Sequence, residues 1–480
     1  MKKQLFTVIT LAVALMLTAC DNHPEYSSDK LSLVLNGVSY EITLPAEQPV
    51  DLTTLCTEFD ASVEIINASA FKTITVNGQP LKNGKCSLPV PEISKDKQIM
   101  IAYTAADQQG TVVLNTLHSR MPDMVVSGHG QAQGDYYCSF VWQRLVFKCD
   151  NDGKILFYRY EPRTVIETGD DSGWWDFKKH VADDGTVYYS YHANDPNFAE
   201  RLFMGYDPGM RVLMDDHYNP IDTFHLLESL NGEVAAGEPL DGHDFYFFSP
   251  SHYIVSAYIR RTRHNQAIFA CYLQEVENGQ VVFDWWSVDH PETVEWTDPV
   301  FGLERDYMHF NCVQVLPDGE LLCSLRHEST VVKIKRSDKS GDIIWAIHGY
   351  DLPEEYAFCG QHYATLHDHT LTLFDNGNGH TPPATRLLKL QINPKTGAVL
   401  SGENILPAND RVYFTTACGS FVPLGDYYVA GWGIPGLEAG PNDRLVTEYD
   451  MSGNEIFGIR HTGDYQENFF NGSYRCVKCR

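Results

Sequence analysis

The chain has 480 residues, with 63 acidic against 36 basic side chains and a formal net charge of −27. This acidic excess opposes binding to nucleic acid or to an anionic lipid surface, so neither is an expected partner, and an anionic substrate needs local cations to hold it. Aromatic residues make up 12% of the chain and helical periodicity is nearly absent, which together predict an all-β fold.

The N-terminus has the order of a leader peptide. A charged start is followed by an apolar run over residues 5–17, which is too short to span a bilayer, and then by Leu-Thr-Ala-Cys20. This ending resembles a bacterial lipobox; the alternative is an ordinary secretory signal with a chance cysteine. We expect residues 1–19 to be removed, residues 20–29 to form a tether, and a lipid on Cys20 to anchor the protein at the periplasmic side of a membrane.

Twelve cysteines are present, and an odd number remains once Cys20 is set aside. Cys312 and Cys323 flank a Pro-Asp-Gly turn almost symmetrically, and Cys138 and Cys149 have the same spacing. Either pair is a candidate for a cross-strand disulfide in an oxidising compartment. Partly buried thiols are the simpler interpretation.

Short alternating segments predict a small β-sandwich at residues 30–122. Apolar and polar residues alternate in each segment, and Asn-Gly pairs at 77–78 and 83–84 mark turns between them. A Met-Pro-Asp sequence at 121–123 marks its boundary with the remainder of the chain, residues 125–480.

The second part of the chain repeats a hairpin unit six times. Each unit has two β-rich runs around a turn, and a Gly-containing outer turn recurs between units. The paired runs are 139–142 with 145–147, 177–182 with 186–189, 245–248 with 253–257, 312–316 with 320–325, 363–366 with 370–374, and 419–422 with 426–430. This recurrence predicts a six-bladed β-propeller, and the alternative is a large sandwich or two stacked β domains.

Three histidines stand near the start of repeated hairpins. They are His243 in Asp-Gly-His-Asp, His309 in Tyr-Met-His-Phe-Asn and His362 in Cys-Gly-Gln-His-Tyr. The first strand of each propeller blade lines the central channel, so residues at these starts gather near one mouth. Their distances from the following turns differ, which predicts that they lie at different depths around one pocket.

Arg326 adds a cation to this group. If the runs 312–316 and 320–325 pair, Arg326 falls opposite Asn311 and diagonal to His309 on one face of the sheet. Imidazoles and a guanidinium suit an oxyanion: one neutral histidine attacks while the others stabilise charge and donate a proton. The alternatives are a metal site such as zinc, or ordinary channel-lining histidines.

A longer stretch, residues 309–377, resembles the bacterial arylsulfate sulfotransferases that use no nucleotide sulfate donor. The matching segments are Asp306 to Asn311, Leu316 to Gly319, Ser324 to Ile334, Gly341 to Trp345, Gly360 to His362 and Leu373 to Gly377. The resemblance extends more weakly over about 110–470, and the family's own domain order is a β-sandwich followed by a six-bladed propeller.

The resemblance implies ping-pong transfer of a sulfuryl group from a phenolic sulfate ester to a phenol. It implies that His362 is the transiently sulfated nucleophile, that His309 and Arg326 bind sulfate and act in acid/base steps, and that His243 is a further catalytic residue. Asn311, on the same strand as His309, is expected to contact substrate. No cofactor and no metal is implied, and a homodimer through the N-terminal domain is expected.

Two features concern the surroundings of the nucleophile. Tyr363 stands where family members usually have aspartate after Gln-His, and the family's disulfide near the site corresponds to a pairing of Cys359 with Cys418. Two other functions stay open at this point: a propeller that binds ligands without catalysis, and a metal-dependent hydrolase or oxidoreductase that uses the same histidines.

Overall fold

The computed structural model describes residues 27–162, 173–195, 197, 205–263, 266–290, 306–406, 413–436, 443–463 and 472–479. The expected leader and lipidation site at Cys20 lie outside these ranges. Within them the protein is all-β, with no α-helix, and no helix is long and apolar enough to cross a membrane. Three short 3-10 helices are present, at Ala68–Ala70, Ser287–Asp289 and Gly349–Asp351.

Ten strands lie between residues 27 and 116. They are β1 (Lys30–Leu35), β2 (Val38–Thr43), β3 (Val50–Asp51), β4 (Thr54–Cys56), β5 (Ala61–Ile65), β6 (Thr73–Val76), β7 (Gln79–Pro80), β8 (Lys85–Leu88), β9 (Gln98–Thr104) and β10 (Gln109–Asn115). Two sheets form from them, one in the order β2-β1-β5-β8 and one containing β10-β9-β6-β7. Buried apolar residues alternate with more exposed residues along β1 and β9, as the sequence pattern predicts.

The chain divides into two compact units. The first holds the described part of Met1–Pro49 with Ser62–Cys86 and Met100–Val113, and the second holds Val50–Ala61, Ser87–Ile99 and Leu114–Arg480. The second unit therefore takes two segments from the region between residues 50 and 99, and one of them carries β4.

Among the described residues, twenty-eight strands follow residue 120. They are β11 (Met124–Gly128), β12 (Asp135–Phe140), β13 (Leu145–Cys149), β14 (Ile155–Tyr160), β15 (Trp174–Val181), β16 (Val187–Asn194), β17 (Pro208–Met214), β18 (Pro220–Phe224), β19 (Leu240–Asp241), β20 (Phe245–Ser249), β21 (His252–Arg263), β22 (Gln266–Glu277), β23 (Gln280–Trp286), β24 (Phe310–Val315), β25 (Leu321–Leu325), β26 (Thr330–Ile334), β27 (Ile343–His348), β28 (His362–His367), β29 (Thr370–Asp375), β30 (Arg386–Ile392), β31 (Val399–Asn404), β32 (Thr415–Ala417), β33 (Ser420–Leu424), β34 (Tyr427–Gly431), β35 (Ile434–Pro435), β36 (Arg444–Asp450), β37 (Glu455–His461) and β38 (Ser473–Cys479).

Six antiparallel sheets organise this unit. Their strand orders are β38-β12-β13-β14, β15-β16-β17-β18, β20-β21-β22-β23, β24-β25-β26-β27, β28-β29-β30-β31 and β33-β34-β36-β37. All six predicted hairpins are present as paired strands. Strand β4 extends the outer edge of the first sheet, β11 extends that of the sixth, and β32 pairs with β35.

The first strands of these sheets contact one another in series. Strand β15 contacts β38, β20 contacts β24, β24 contacts β28, β28 contacts β33, and β33 contacts β38. Strand β15 also reaches the start of β20, because Lys178 Nζ lies 2.6 Å from Asp244 Oδ1. The beginnings of these strands are therefore brought together, although they are far apart in sequence.

Apolar side chains fill the spaces between neighbouring sheets. Between the fourth and fifth sheets, Leu322, Val331, Leu371, Leu373 and Leu388 form one fully buried cluster. Each such side chain contributes about 1.5–3 kcal/mol when it leaves water. This packing holds the strand ends that carry the polar residues described below.

The C-terminal strand β38 is joined to its neighbours by a buried ion pair. Lys478 Nζ lies 2.8 Å from Glu448 Oε2 and 2.6 Å from Asn151 Oδ1, and both charged side chains are fully buried. Lys478→Met is expected to lower the free energy of unfolding by about 3–5 kcal/mol, because it leaves the Glu448 carboxylate buried without its cation.

Urea denaturation measures this loss, and Lys389→Met is the matched control. Lys389 forms a 2.8 Å pair with Glu403 whose side chains are partly exposed, so its loss should cost at most about 1 kcal/mol. Equal losses in the two variants would contradict the stabilising role of the buried pair.

The described cysteines are all free thiols. In the fourth sheet Cys312 lies opposite Ser324 and Cys323 lies opposite Val313. The Cys312 and Cys323 side chains therefore leave opposite faces of the sheet, because successive residues of a strand alternate between faces. The candidate bridge between them does not form for this reason.

The second candidate pair is also separated by register. Cys138 lies opposite Phe147 on β13 and opposite Cys476 on β38, whereas Cys149 lies opposite Tyr136. Cys138 and Cys149 are thus diagonal rather than directly opposed, and both are free in the structure.

Candidate active site

The structure brings the three predicted histidines to the beginnings of neighbouring first strands. His243 precedes β20 by two residues, His309 directly precedes β24, and His362 is the first residue of β28. All three side chains are buried. The ring centroids of His243 and His309 are 4.8 Å apart and the rings are perpendicular.

Backbone irregularities mark these strand starts. His309 and Tyr363 both have positive φ, at 54° and 50°, and the register shifts after Phe310 on β24 and after His362 on β28. Such bulges and left-handed residues are costly for non-glycine side chains and occur where a fold re-aims a side chain. Here they lie next to His309 and His362, at the starts of two successive sheets.

One bulge corrects the predicted position of Arg326. The backbone N–H of Arg326 donates to the carbonyl of His309 at 2.9 Å, so Arg326 lies opposite His309 and the prediction that it lies opposite Asn311 is wrong. Asn311 is the extra residue that the bulge leaves out of the ladder. The Arg326 side chain is buried and donates from Nη2 to the carbonyl of Thr416 at 3.0 Å.

Asn311 itself is fully buried. Its Nδ2 donates to the carbonyl of Gln361 at 2.8 Å, which ties the start of β24 to the residue before His362. Its Oδ1 accepts no hydrogen bond from the described residues. A buried amide oxygen of this kind is open to a donor from a ligand.

Two hydrogen bonds fix the tautomer of His362. Asn376 Nδ2 donates to the carbonyls of Thr415 and Cys418 at 2.9 and 3.1 Å, so its Oδ1 must be the acceptor for His362 Nδ1 at 2.7 Å. The proton is therefore on Nδ1 and the lone pair on Nε2. The backbone N–H of Cys418 donates to that Nε2 at 3.2 Å.

Carboxylates hold the other two histidines by the same ring nitrogen. His309 Nδ1 lies 2.5 Å from Asp306 Oδ2, and His243 Nδ1 lies 2.8 Å from Asp241 Oδ2. A carboxylate on Nδ1 orients an imidazole and leaves its Nε2 for chemistry. Sequence reasoning missed both partners, although each carboxylate is only two or three residues from its histidine.

A fourth histidine completes the group. His327, next to Arg326 in the chain, stacks on the His309 ring at a centroid distance of 4.4 Å and donates from Nδ1 to the Asp306 carbonyl at 2.5 Å. Ligand atoms of Asp306, His309 and His327 lie within 4.8 Å of one another, which is a spacing that suits a metal ion. Only the motif position of His327 beside Arg326 could have indicated it from sequence.

Burial lowers the pKa of three of these imidazoles, those of His309, His327 and His362. Desolvation, followed by the nearby charge of Arg326, holds the pKa of His362 well below its ordinary value, and burial does the same for His309. Burial also raises the pKa of Asp306 to about 6 and lowers that of His327 to about 3. At neutral pH the Nε2 atom of His362 is therefore unprotonated and keeps its lone pair.

The shift at Asp306 predicts a pH-dependent stability. Asp306 holds its proton more tightly in the folded protein than in the unfolded chain, so stability from this group falls as the pH rises from about 4 to about 6. Above pH 6 the ionised form costs about 3 kcal/mol. Asp306→Asn is expected to raise the free energy of unfolding at pH 7.5 by about 1–3 kcal/mol, since the lost His309 contact offsets part of the gain.

Urea titrations at pH 4.5 and 7.5 check this prediction. The gain from Asp306→Asn should shrink at pH 4.5, where the native carboxyl is protonated. Asp338→Asn is the control, because Asp338 is an exposed turn residue whose pKa is lowered to about 2 by its hydrogen bond from Lys335. A gain that is the same at both pH values would refute the assigned shift.

A glycine packs directly on one site histidine. A Cβ added at Gly205 would overlap Cε1 of His309, and Gly205 has φ +86°. Only glycine satisfies both the conformation and the close approach. The position of the His309 ring is thus limited on one side by backbone.

Tyrosine instead of aspartate at position 363 does not disturb the contacts of His362. The Tyr363 ring lies over the Arg475 guanidinium, with 4.2 Å between the Arg475 Cζ and the ring centroid, and the contacts of His362 to Asn376 and Cys418 are in place. The expected Cys359–Cys418 disulfide is not formed. Cys359 Sγ instead accepts the N–H of Gly379 at 3.0 Å.

The sequence of the second unit matches a known protein family. Residues 260–461, which include β22 to β37 and carry His309, Arg326 and His362, match the model of the arylsulfotransferase (ASST) family. This part of the chain is similar to the arylsulfotransferase family. The resemblance found from motifs alone is thereby confirmed.

Solved structures give only distant likenesses to this chain. A protein of unknown function from Bacteroides caccae is 11% identical, with a TM-score of 0.41, and the match covers 72% of this chain and 100% of that one. A catalytically inactive virginiamycin B lyase from Staphylococcus aureus is 10% identical, with a TM-score of 0.35 and coverage of 77% and 94%. These likenesses are too weak to support a conclusion about this chain. No curated protein matches the sequence.

Proposed function

We propose that the protein is an aryl sulfotransferase that moves a sulfuryl group from a phenolic sulfate ester to a phenol through a sulfated His362. The observation that carries the proposal is the fixed tautomer of His362: a buried, neutral imidazole with its lone pair on Nε2. The family match of residues 260–461 supports the reaction class. The buried Arg326 guanidinium supplies the charge stabilisation that an oxyanion requires.

The fold that we propose for the second unit is a six-bladed β-propeller. Six four-stranded sheets with contacting first strands support it, and so does the pairing of the C-terminal β38 with β12, which would close the ring. We also propose the domain limits inferred from sequence, with a β-sandwich at 30–122 and the propeller at 125–480.

In the first half-reaction the Nε2 lone pair of His362 forms a bond to sulfur as the sulfur–aryloxide bond breaks. Nε2 must first give up the 3.2 Å hydrogen bond from Cys418, whose N–H is then available to a sulfuryl oxygen. Asn376 Oδ1 accepts the Nδ1 proton and so stabilises the positive charge that develops on the ring. The Arg326 guanidinium offsets the negative charge of the sulfuryl oxygens.

The departing phenolate needs a proton. We assign its delivery to the Nε2–H of a doubly protonated His243, whose imidazolium the Asp241 carboxylate on Nδ1 stabilises. In the second half-reaction the acceptor phenol returns a proton to His243 while its oxygen attacks sulfur. The nitrogen–sulfur bond breaks, and His362 regains its lone pair.

The proposal is tested by intact mass and peptide mapping of the protein after exposure to p-nitrophenyl sulfate. We expect one sulfuryl adduct, mapped to the peptide containing residue 362, which disappears when a phenol is added and reappears as aryl sulfate. Release of free sulfate with no adduct would indicate a hydrolase. Absence of any reaction with aryl sulfates would favour a propeller that only binds ligands.

A second candidate function rests on the cluster of Asp306, His309 and His327. Its ligand spacing suits zinc or a similar ion, and a metal-dependent hydrolase would use it. The guanidinium of Arg326 favours the sulfotransferase, because a fixed cation near the cluster repels a metal ion and attracts a sulfuryl group. Stoichiometric metal in the purified protein, with activity lost to a chelator, would support the second candidate.

The cellular location of the reaction is inferred from the N-terminal pattern. We propose that the protein is exported, lipidated at Cys20 and held at the periplasmic side of a membrane, as the leader-like sequence supports. Mass spectrometry of the mature N-terminus tests this, since an acylated Cys20 is expected and an unmodified N-terminus would contradict it.

A further inference from the structure

One buried guanidinium contacts a residue within two positions of each of the three site histidines, His243, His309 and His362. Arg475, on the C-terminal strand β38, is 1% exposed. Its Nη1 lies 3.3 Å from Asp244 Oδ1, and Asp244 follows His243 directly. Its Nη2 donates to the carbonyl of Asn311 at 3.0 Å, and its plane faces the ring of Tyr363, which follows His362.

Further bonds make these contacts rigid. Tyr474 OH donates to the carbonyl of His243 at 2.6 Å and lies 3.3 Å from Arg475 Nη2. Asp244 Oδ2 accepts the N–H of Val313 on β24 at 2.8 Å. The β38 strand, the start of β20 and the start of β24 are therefore joined by one network that passes through Arg475.

We propose that Arg475 is the positioning residue of the site, and that it sets the spacing of His243, His309 and His362 without touching substrate. The inference rests on the proposed sulfuryl transfer. Only a planar group with several fixed donors can meet a carboxylate, a carbonyl and an aromatic face at once, which is the geometry of arginine and not of lysine. The Tyr363 ring, which departs from the family pattern, is a stacking partner in this arrangement.

The charge balance indicates that the role can be tested without unfolding the protein. Arg475, Arg211 and Lys178 surround two carboxylates, Asp176 and Asp244. Removing the charge of Arg475 would leave two cations, Arg211 and Lys178, for the two carboxylates. Burial would raise the pKa of Asp244, but Lys178 and Arg475 together hold it below its ordinary value, and Lys178 stays in place in an Arg475 variant.

The test compares Arg475→Lys with Arg211→Lys. Arg211 is equally buried and pairs with Asp176 at 2.9 Å, but its other hydrogen bonds go to Ser190 and to the Asp176 carbonyl, away from the three histidines. We expect Arg475→Lys to lower kcat for transfer by about 100-fold with KM changed less than threefold, because a displacement of about 1 Å has this effect on rate. Arg211→Lys should leave kcat within about threefold.

Two results would overturn the proposal. Full kcat in a folded Arg475→Lys would show that charge alone is needed, and equal kcat losses in both variants would show a merely structural role. Arg475→Met extends the series if the lysine variant fails to fold.

A spectroscopic reading separates this inference from the proposed function. In protein labelled with ¹⁵N-histidine, Arg475→Lys should shift the ring signals of His243, His309 and His362, whereas Arg211→Lys should not. Shifted signals in a protein that transfers no sulfuryl group would refute the function and keep the positioning role. Unshifted signals would refute the positioning role even if transfer occurs.

Discussion

His362→Ala is expected to abolish both the sulfuryl adduct and transfer to phenol, with a fall in kcat of about 10⁴- to 10⁶-fold, as the loss of a covalent nucleophile usually causes. The reason is geometric. Of the three histidines predicted from the sequence, His362 is the one whose Nδ1 donates to a neutral side-chain amide and not to a carboxylate, and this bond leaves the lone pair on Nε2. A covalent bond to sulfur places positive charge on this ring, and Asn376 accommodates it through the Nδ1 proton.

The measurements are single-turnover release of p-nitrophenol and intact mass, with His367→Ala as the control. His367 ends the same strand, β28, and its side chain is exposed, so the control should keep near-normal activity and stability. An adduct that survives in His362→Ala would indicate that the nucleophile is His309 or His243 instead. Loss of activity in both variants would point to damage to β28 instead.

Gly205→Ala should reduce kcat by about 100-fold, because a methyl group at this position displaces the His309 ring from its place over the site. The φ of +86° adds backbone strain of about 1 kcal/mol or more for any residue with a Cβ. Both effects are expected in one variant, so the rate must be separated from the stability.

Gly185→Ala separates them. Gly185 has φ +83° at a β-hairpin turn, and a Cβ there meets nothing within 4 Å. It should lose a similar amount of stability and keep its kcat. Comparable kcat in the two variants, measured well below their unfolding temperatures, would show that the Gly205 contact does not hold His309.

The sequence predicted the hairpins and three of the site histidines because both leave local signals. Alternation, turn residues and a histidine near a strand start are all visible within about fifteen residues. The position of β38 was not predictable in this way, since a C-terminal strand that pairs with β12 depends on a contact between segments more than three hundred residues apart. Asp241 and Asp306 were missed for another reason: a carboxylate near a histidine is common, and only the backbone turn decides whether they meet.

The register error at Arg326 has a physical cause of the same kind. Counting residues across a hairpin assumes an unbroken ladder, and the bulge at Asn311 inserts one residue on one strand only. A bulge has no reliable sequence signal here, because the residue with positive φ is His309 and not a glycine.

The pairing of β38 with β12 has a consequence for how the molecule is made. The first sheet lacks its innermost strand until the latest of the described segments has emerged from synthesis, and that strand brings Arg475 and Lys478 with it. A chain interrupted before residue 473 would hold an open sheet edge and a buried carboxylate at Glu448 without its lysine. Such fragments should be substrates for quality-control proteases, so the chemistry of the site is withheld from incomplete chains.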